Sequence, residues 1–172
     1  MELITEKGRY RPCAGGVVFN SEGLFLVGER TGNKKGCWQF PQGGIEKGES
    51  ALDAAKRETY EEIGLRVPDV IEEVCSIDTP MTYDVDGGWL KKEGYMGQAM
   101  YWSLFFYPGG GVPPVNLEGL GGEKPEFTQV KWISMDDLIK TIWKAKRGVY
   151  EELASAAVPR VNAFLESRKT KQ

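Results

Sequence analysis

The stretch GGIEKGESALDAAKRETYEEIGL, Gly43 to Leu65, constrains the chain more than any other. It carries the carboxylates Glu46, Glu49, Asp53, Glu58, Glu61 and Glu62 against only Lys47, Lys56 and Arg57. Gly43 and Gly44 open a tight turn, and Gly64 sits where a C′ glycine ends a helix. Ser50 followed by Asp53 resembles a capping box with Asp in place of Glu or Gln. The pattern predicts a helix from about Ala51 to Ile63. Glu58, Glu61 and Glu62 then stand at i, i+3 and i+4, on one face, their Cβ atoms roughly 5–6 Å apart. They also crowd the negative end of the helix dipole. Both effects are unfavourable in isolation. A hard divalent cation, Mg²⁺ or Mn²⁺, reverses both, because it takes oxygen ligands and completes its shell with water and substrate phosphate. Gly43 and Gly44 would let a backbone carbonyl approach such an ion, since no Cβ stands in the way. A solvated acidic face is the competing reading.

The chain contains no histidine. That removes Ser-His-Asp and Cys-His catalysis and histidine-ligated metals together. Hydrolytic chemistry must then use carboxylates, Lys, Tyr or a hard metal. Cys13, Cys37 and Cys75 are far apart and form no CxxC pair, so neither a disulfide framework nor a zinc site is indicated. They read as small buried hydrophobes in a reduced compartment. A net charge of −3 argues against bulk nucleic-acid binding, though not against a site that grips one RNA end. The N-terminus MELITEKGRYRPC does not read as a signal peptide, and no apolar run of about 18 residues appears. These readings point to a cytoplasmic protein without a membrane span, with organelle import left open. The oligomeric state is not legible.

The 172 residues suit a single domain, 1–172. Cys13 to Asn20 and Leu24 to Arg30, separated by SEG, predict a hairpin. Val70 to Asp78, Gly97 to Pro108 and Phe127 to Ser134 read as strands. Between the first two lies a long polar-aromatic loop. The segment 109–124 is rich in Gly and Pro and reads as a flexible, functional loop. C-terminal helices are expected over 134–168, the first capped by Ser134 and running through Trp143, the second kinked at Pro159. Strands and helices do not alternate regularly, which disfavours a parallel doubly wound sheet and favours a mixed α/β sandwich.

The acidic segment, 43–65, resembles the Nudix box, G-x5-E-x7-R-E-U-x-E-E-x-G-U with U aliphatic. Gly43, Glu49, Arg57, Glu58, Glu61, Glu62, Gly64 and Leu65 match, and Thr59 departs where an aliphatic residue is usual. The resemblance implies an α/β/α sandwich with a mixed central sheet and metal-dependent hydrolysis of a phosphoanhydride. It implies Glu58, Glu61 and Glu62 as metal ligands, with the Gly43 carbonyl as a further candidate, and Glu49 and Arg57 as a structural salt bridge. YRPCAGGVVFN, GCWQFPQGGI, TYD, GQ, NLEG, EKPEF and KRGVYEEL resemble the subfamily of RNA 5′ pyrophosphohydrolases and plant-type diadenosine tetraphosphate hydrolases. By that resemblance Glu126 joins the metal site or acts as base, and Arg11, Arg30, Tyr83 and Gln98 contact substrate. Trp38 stacks on a base or packs in the core, the core being favoured. Met96, Met100 and Tyr101 depart from the subfamily pattern and remove potential phosphate-side cations, for which Lys91 and Lys92 are possible replacements. Three functions follow: asymmetric cleavage of diadenosine tetraphosphate to ATP and AMP, mildly favoured by the acidic total; removal of pyrophosphate from triphosphorylated RNA 5′ ends; or nucleotide or RNA binding without hydrolysis.

Overall fold

The computed structural model describes residues 2–171. In chain order the strands and helices are β1 (Leu3–Thr5), β2 (Gly8–Phe19), β3 (Phe25–Arg30), β4 (Trp38–Gln39), β5 (Gln42–Gly44) and α1 (Ala51–Ile63). Then follow β6 (Glu72–Asp84), α2 (Gly88–Lys92), β7 (Tyr95–Phe106), β8 (Phe127–Ile133), α3 (Met135–Thr141) and α4 (Arg147–Thr170). The strands form one eight-stranded mixed sheet. Its centre is the parallel pair β2–β7, with β6 antiparallel on β7 and β8 antiparallel on β3.

Strand alternation builds two cores, one on each face. Cys13, Val17 and Phe19 of β2 point to the core shared with Leu138, Val149, Tyr150, Leu153 and Val161 of α3 and α4. Ala14 and Val18 point to the other, with Ala54, Ala55 and Ile63 of α1. The result is the expected α/β/α sandwich. The sheet side of α1 lies close on β2. A Cβ on Gly16 would fall 2.0 Å from the Thr59 hydroxyl oxygen. The departing Thr59 is thus a fully buried packing residue, and its hydroxyl donates to the Ala55 carbonyl at 2.7 Å.

The β2–β3 hairpin is only partly realised. The two strands pair at Phe19–Phe25 and then part. Beyond that point β5 takes the edge of β2 and β4 takes the edge of β3. Residues 38–44 therefore bridge an opening in the sheet. Phe40 anchors the bridge: its ring stacks on Tyr150 and its N–H donates to the Tyr150 hydroxyl at 3.0 Å.

The other departures are local. β6 runs on to Asp84, and α3 stops at Thr141 rather than Trp143. α4 is continuous through Pro159, where a kink is expected from the sequence. The loop 109–124 is not free along its length. The Trp132 indole N–H donates to the Gly111 carbonyl, the Asn116 N–H donates to the Ile63 carbonyl at the end of α1, and Val115 and Leu117 pack on the α1-side core. Among the described residues no helix is long and apolar enough to cross a membrane.

Candidate active site

α1 forms where local signals place it. The Ser50 hydroxyl accepts from the Asp53 N–H at 3.0 Å, and Gly64 closes the helix at φ 76°. This orients Arg57, whose five N–H donors are all engaged. Nε and Nη2 grip Glu49 at 2.8 and 2.9 Å, and Nη2 also reaches the Gly44 carbonyl at 2.9 Å. Nη1 bonds Glu58 at 2.8 Å and Glu61 at 3.2 Å. The expected Glu49–Arg57 bridge is one part of a clasp that ties the entry loop, the helix and two of the three box glutamates. Arg57's hydrogen bonds hold the Glu49 carboxyl below its ordinary range, helped by the Glu46 N–H.

Beside the clasp lies an open cavity of about 360 Å³. Glu58, Glu62 and Glu126 line it with Gly43, Gly44 and Arg11. Burial raises Glu58 above the usual carboxylate range despite Arg57. Loss of hydration pushes Glu62 well up, and the Glu58 and Glu126 charges add to it. Against that stands the Gln42 N–H, which donates to Glu62 at 3.1 Å. Glu61 is turned towards Arg57 and Gly121 rather than into the cavity.

The two glycines are explained by close approach. A Cβ on Gly43 would fall 2.1 Å from a Glu58 carboxylate oxygen, and one on Gly44 would fall 2.1 Å from Arg11 Nη2. Gly43 thus seats a carboxylate directly against the backbone, and Gly44 seats the one arginine that lines the cavity besides Arg57. The Gly44 carbonyl is taken by Arg57, and Gly43 pairs with Ala14 across the β2–β5 ladder.

Other expected residues lie elsewhere. Arg30 does not line this cavity. Its Nε donates to Glu126 at 3.1 Å, and it faces a second hollow of about 320 Å³ with Trp38, Gln39, Ile142 and Trp143. Trp38 is half-buried there and packs against the α3/α4-side core, as favoured from the sequence, with Lys131 Nζ 4.0 Å from its ring centroid. Tyr83 and Gln98 are brought together but not to the cavity. They are cross-strand partners, the Tyr83 hydroxyl donates to the Gln98 side-chain carbonyl, and both are buried. Burial raises the Tyr83 hydroxyl to about 12. Met100 is core, and Tyr101 lies at a separate surface hollow.

Several residues escape sequence reasoning. Glu123 and Lys124 reach the cavity from the Gly-rich loop, and Glu46 from the turn before α1. Lys146 is buried below the site with Nζ donating to Gln39 at 3.0 Å. Burial, with Arg30 adding to it, lowers Lys146 to about 8. Its position beside Arg147 in KRGVYEEL is the one available signal, and nothing local marks it as interior.

The sequence matches the family model described as the NUDIX domain over residues 9–153. An RNA pyrophosphohydrolase of Cereibacter sphaeroides is 36% identical over 164 residues, covering 92% of this chain and 98% of the relative. One from Mesorhizobium japonicum is 38% identical over 157 residues, covering 86% and 89%. Among solved structures, a Caenorhabditis elegans Ap4A hydrolase complex superposes with a TM-score of 0.61 at 20% identity, covering 91% of this chain and 98% of that one. The Escherichia coli dihydroneopterin triphosphate pyrophosphohydrolase does so at 0.64 and 18%, covering 86% and 99%. These two speak for the fold.

Proposed function

The chain belongs to the Nudix hydrolase family, and on that premise we propose that it releases pyrophosphate from the 5′-triphosphate end of RNA. The geometric observation that carries a hydrolytic site is the single open cavity shared by Glu58, Glu62, Glu126 and Arg11. The choice of RNA rests on the relatives named RNA pyrophosphohydrolase, which resemble this chain nearly end to end. The acidic total that favours a dinucleoside polyphosphate is a weaker argument, because one gripped end needs no bulk positive charge.

Nudix hydrolases in general depend on a divalent metal. The residues present fit Mg²⁺ or Mn²⁺: the donors are all hard oxygens, and Gly43 leaves the space that seats Glu58. Glu58, Glu61, Glu62 and the Gly43 carbonyl are the proposed ligands, with Glu126 joining them or serving as base. Among the described residues no three acidic, Cys or His groups yet converge closely enough to hold an ion. Arg57 explains part of this, since Nη1 draws Glu58 and Glu61 to itself. When bound, the ion polarises phosphate oxygens and makes water a better nucleophile. Loss of hydration, with neighbouring negative charge adding to it, raises both Glu58 and Glu62, and a bound cation would favour their charged forms. Arg11 offers planar, bidentate donors to the phosphate chain. Arg30 holds Glu126 at the rim.

The test offers 5′-triphosphate RNA and diadenosine tetraphosphate side by side with Mg²⁺ or Mn²⁺. Pyrophosphate release from RNA at the higher kcat/KM is expected. Preferred formation of ATP and AMP from the dinucleotide would overturn the choice of substrate. Silence on both would overturn the reading.

A further inference from the structure

Helix α2, GWLKK, sits in the loop between β6 and β7 and takes no part in the clasp. Leu90, 7% exposed, pins it to the fold, while Trp89 is 55% exposed. An exposed indole can hold a cation over one face and keep the other for a ligand. Here the Arg11 guanidinium carbon lies 4.9 Å from the Trp89 ring centroid. The same guanidinium lines the carboxylate cavity against Gly44. Among the described residues Arg11 has no carboxylate partner, and its side chain makes one hydrogen bond, to Cys13 Sγ at 3.5 Å. Its donors are therefore available to phosphate while one flat face meets the indole. Cavity, guanidinium and indole follow one another at the rim.

The structure assigns Trp89 as the stacking platform for the base of the substrate's first nucleotide, whose phosphates lie on Arg11. This rests on the hydrolytic reading above and adds to it which side of the cavity the nucleoside takes. Stacking on an aromatic ring tolerates every base, because each has a π face. Lys91 and Lys92 follow on the same helix, exposed and without a carboxylate partner among the described residues; Lys91 Nζ reaches only Met96 Sδ, at 3.8 Å. They suit the phosphodiester that continues an RNA strand beyond its first nucleoside. The Arg30–Trp38–Trp143 hollow does not meet Arg11 and leaves this role to Trp89.

The experiment compares wild type, Trp89→Ala and Trp89→Phe on a 5′-triphosphate RNA oligonucleotide and on the same oligonucleotide with an abasic first nucleotide. Binding is read by fluorescence anisotropy with Ca²⁺, and turnover separately with Mg²⁺. Trp89→Ala is expected to weaken binding of the normal strand about tenfold, with Trp89→Phe close to wild type. The abasic strand should bind wild type and Trp89→Ala alike. Equal binding of the normal strand by all three proteins would overturn the assignment. So would an equal loss on both strands, which would reduce Trp89 to a support for Arg11. Turnover by wild type without any Trp89 effect would refute the platform alone. Trp89-dependent binding without turnover would refute the hydrolytic reading and leave the platform standing.

Discussion

Replacing Arg57 by Ala tests the clasp. The substitution leaves Glu49, Glu58, Glu61 and the Gly44 carbonyl without their donor. Removing one partner of a buried ion pair costs about 3–5 kcal/mol, because the remaining charges stay desolvated. Arg57 is 23% exposed and the three glutamates 12–16%, so water relieves part of the loss and the low end, about 3 kcal/mol, applies. For a chain of this size that is a fall of about 6–12 °C in Tm. Calorimetry with a chelator present reads it without metal compensation. Arg57→Lys should recover less than half, since an ammonium cannot reproduce the planar fork. Glu49→Gln should add little on top of Arg57→Ala if the two act as one unit. The pH dependence has a defined sign. Arg57 depresses the Glu49 pKa, so that part of the stability is present above the ordinary value of 4.5 and lost as pH falls through the folded value. The gap between wild type and variant should narrow there. A Tm for Arg57→Ala within about 1 °C of wild type would refute the clasp.

Gly43→Ala should lower kcat/KM about a hundredfold, since the new Cβ displaces the Glu58 carboxylate it would meet at 2.1 Å and with it the bond to Arg57; a wild-type rate would count against it. Glu62→Gln should abolish turnover by orders of magnitude yet raise the metal-free Tm. The raised folded pKa of Glu62 means its penalty grows as pH rises above 4.5, so the gain should vanish towards that pH; a lowered Tm at neutral pH would contradict this. Lys146→Met removes a buried ammonium whose folded pKa is about 8 against 10.5 ordinarily. The unfolded chain then binds more protons between those values, so wild type should gain about 3 kcal/mol relative to the variant across that window. Parallel stability curves from pH 7 to 11 would refute it.

What was legible in the sequence was what local chemistry decides. The cap at Ser50, the glycine at Gly64 and the i, i+3, i+4 acids place α1 at the residues observed. The β2–β3 hairpin forms at Phe19–Phe25 and goes no further, because β4 and β5 arrive from later in the chain and take the two edges. Tyr83 shows a subtler limit. β6 runs past the expected end at Asp78 to Asp84, so Tyr83 continues the alternation of Ile77 and Met81 into the core instead of standing in a loop. Glu123, Lys124 and Lys146 reach the site region from the long loop and from the turn before α4, distances that no periodicity records.

The acidic helix is tolerated for two separable reasons, and they predict opposite effects of mutation. Glu49 and Glu61 are neutralised inside the protein by Arg57, so weakening that set should cost stability first. Glu62 is opposed by nearby negative charge and loss of hydration, and Glu58 belongs to both sets, bonded to Arg57 on one side and facing the cavity on the other. The unfavourable energy stored at Glu58 and Glu62 is what a divalent ion and its phosphate would relieve. Substitutions at Glu62 should therefore trade activity for metal-free stability, and those at Arg57 should lose both. Glu58→Gln is the discriminating case. It keeps an acceptor for Arg57 and removes the charge that repels Glu62, so its metal-free Tm should lie at or above wild type while turnover falls. A large loss of Tm would show that Glu58 serves the clasp more than the cavity.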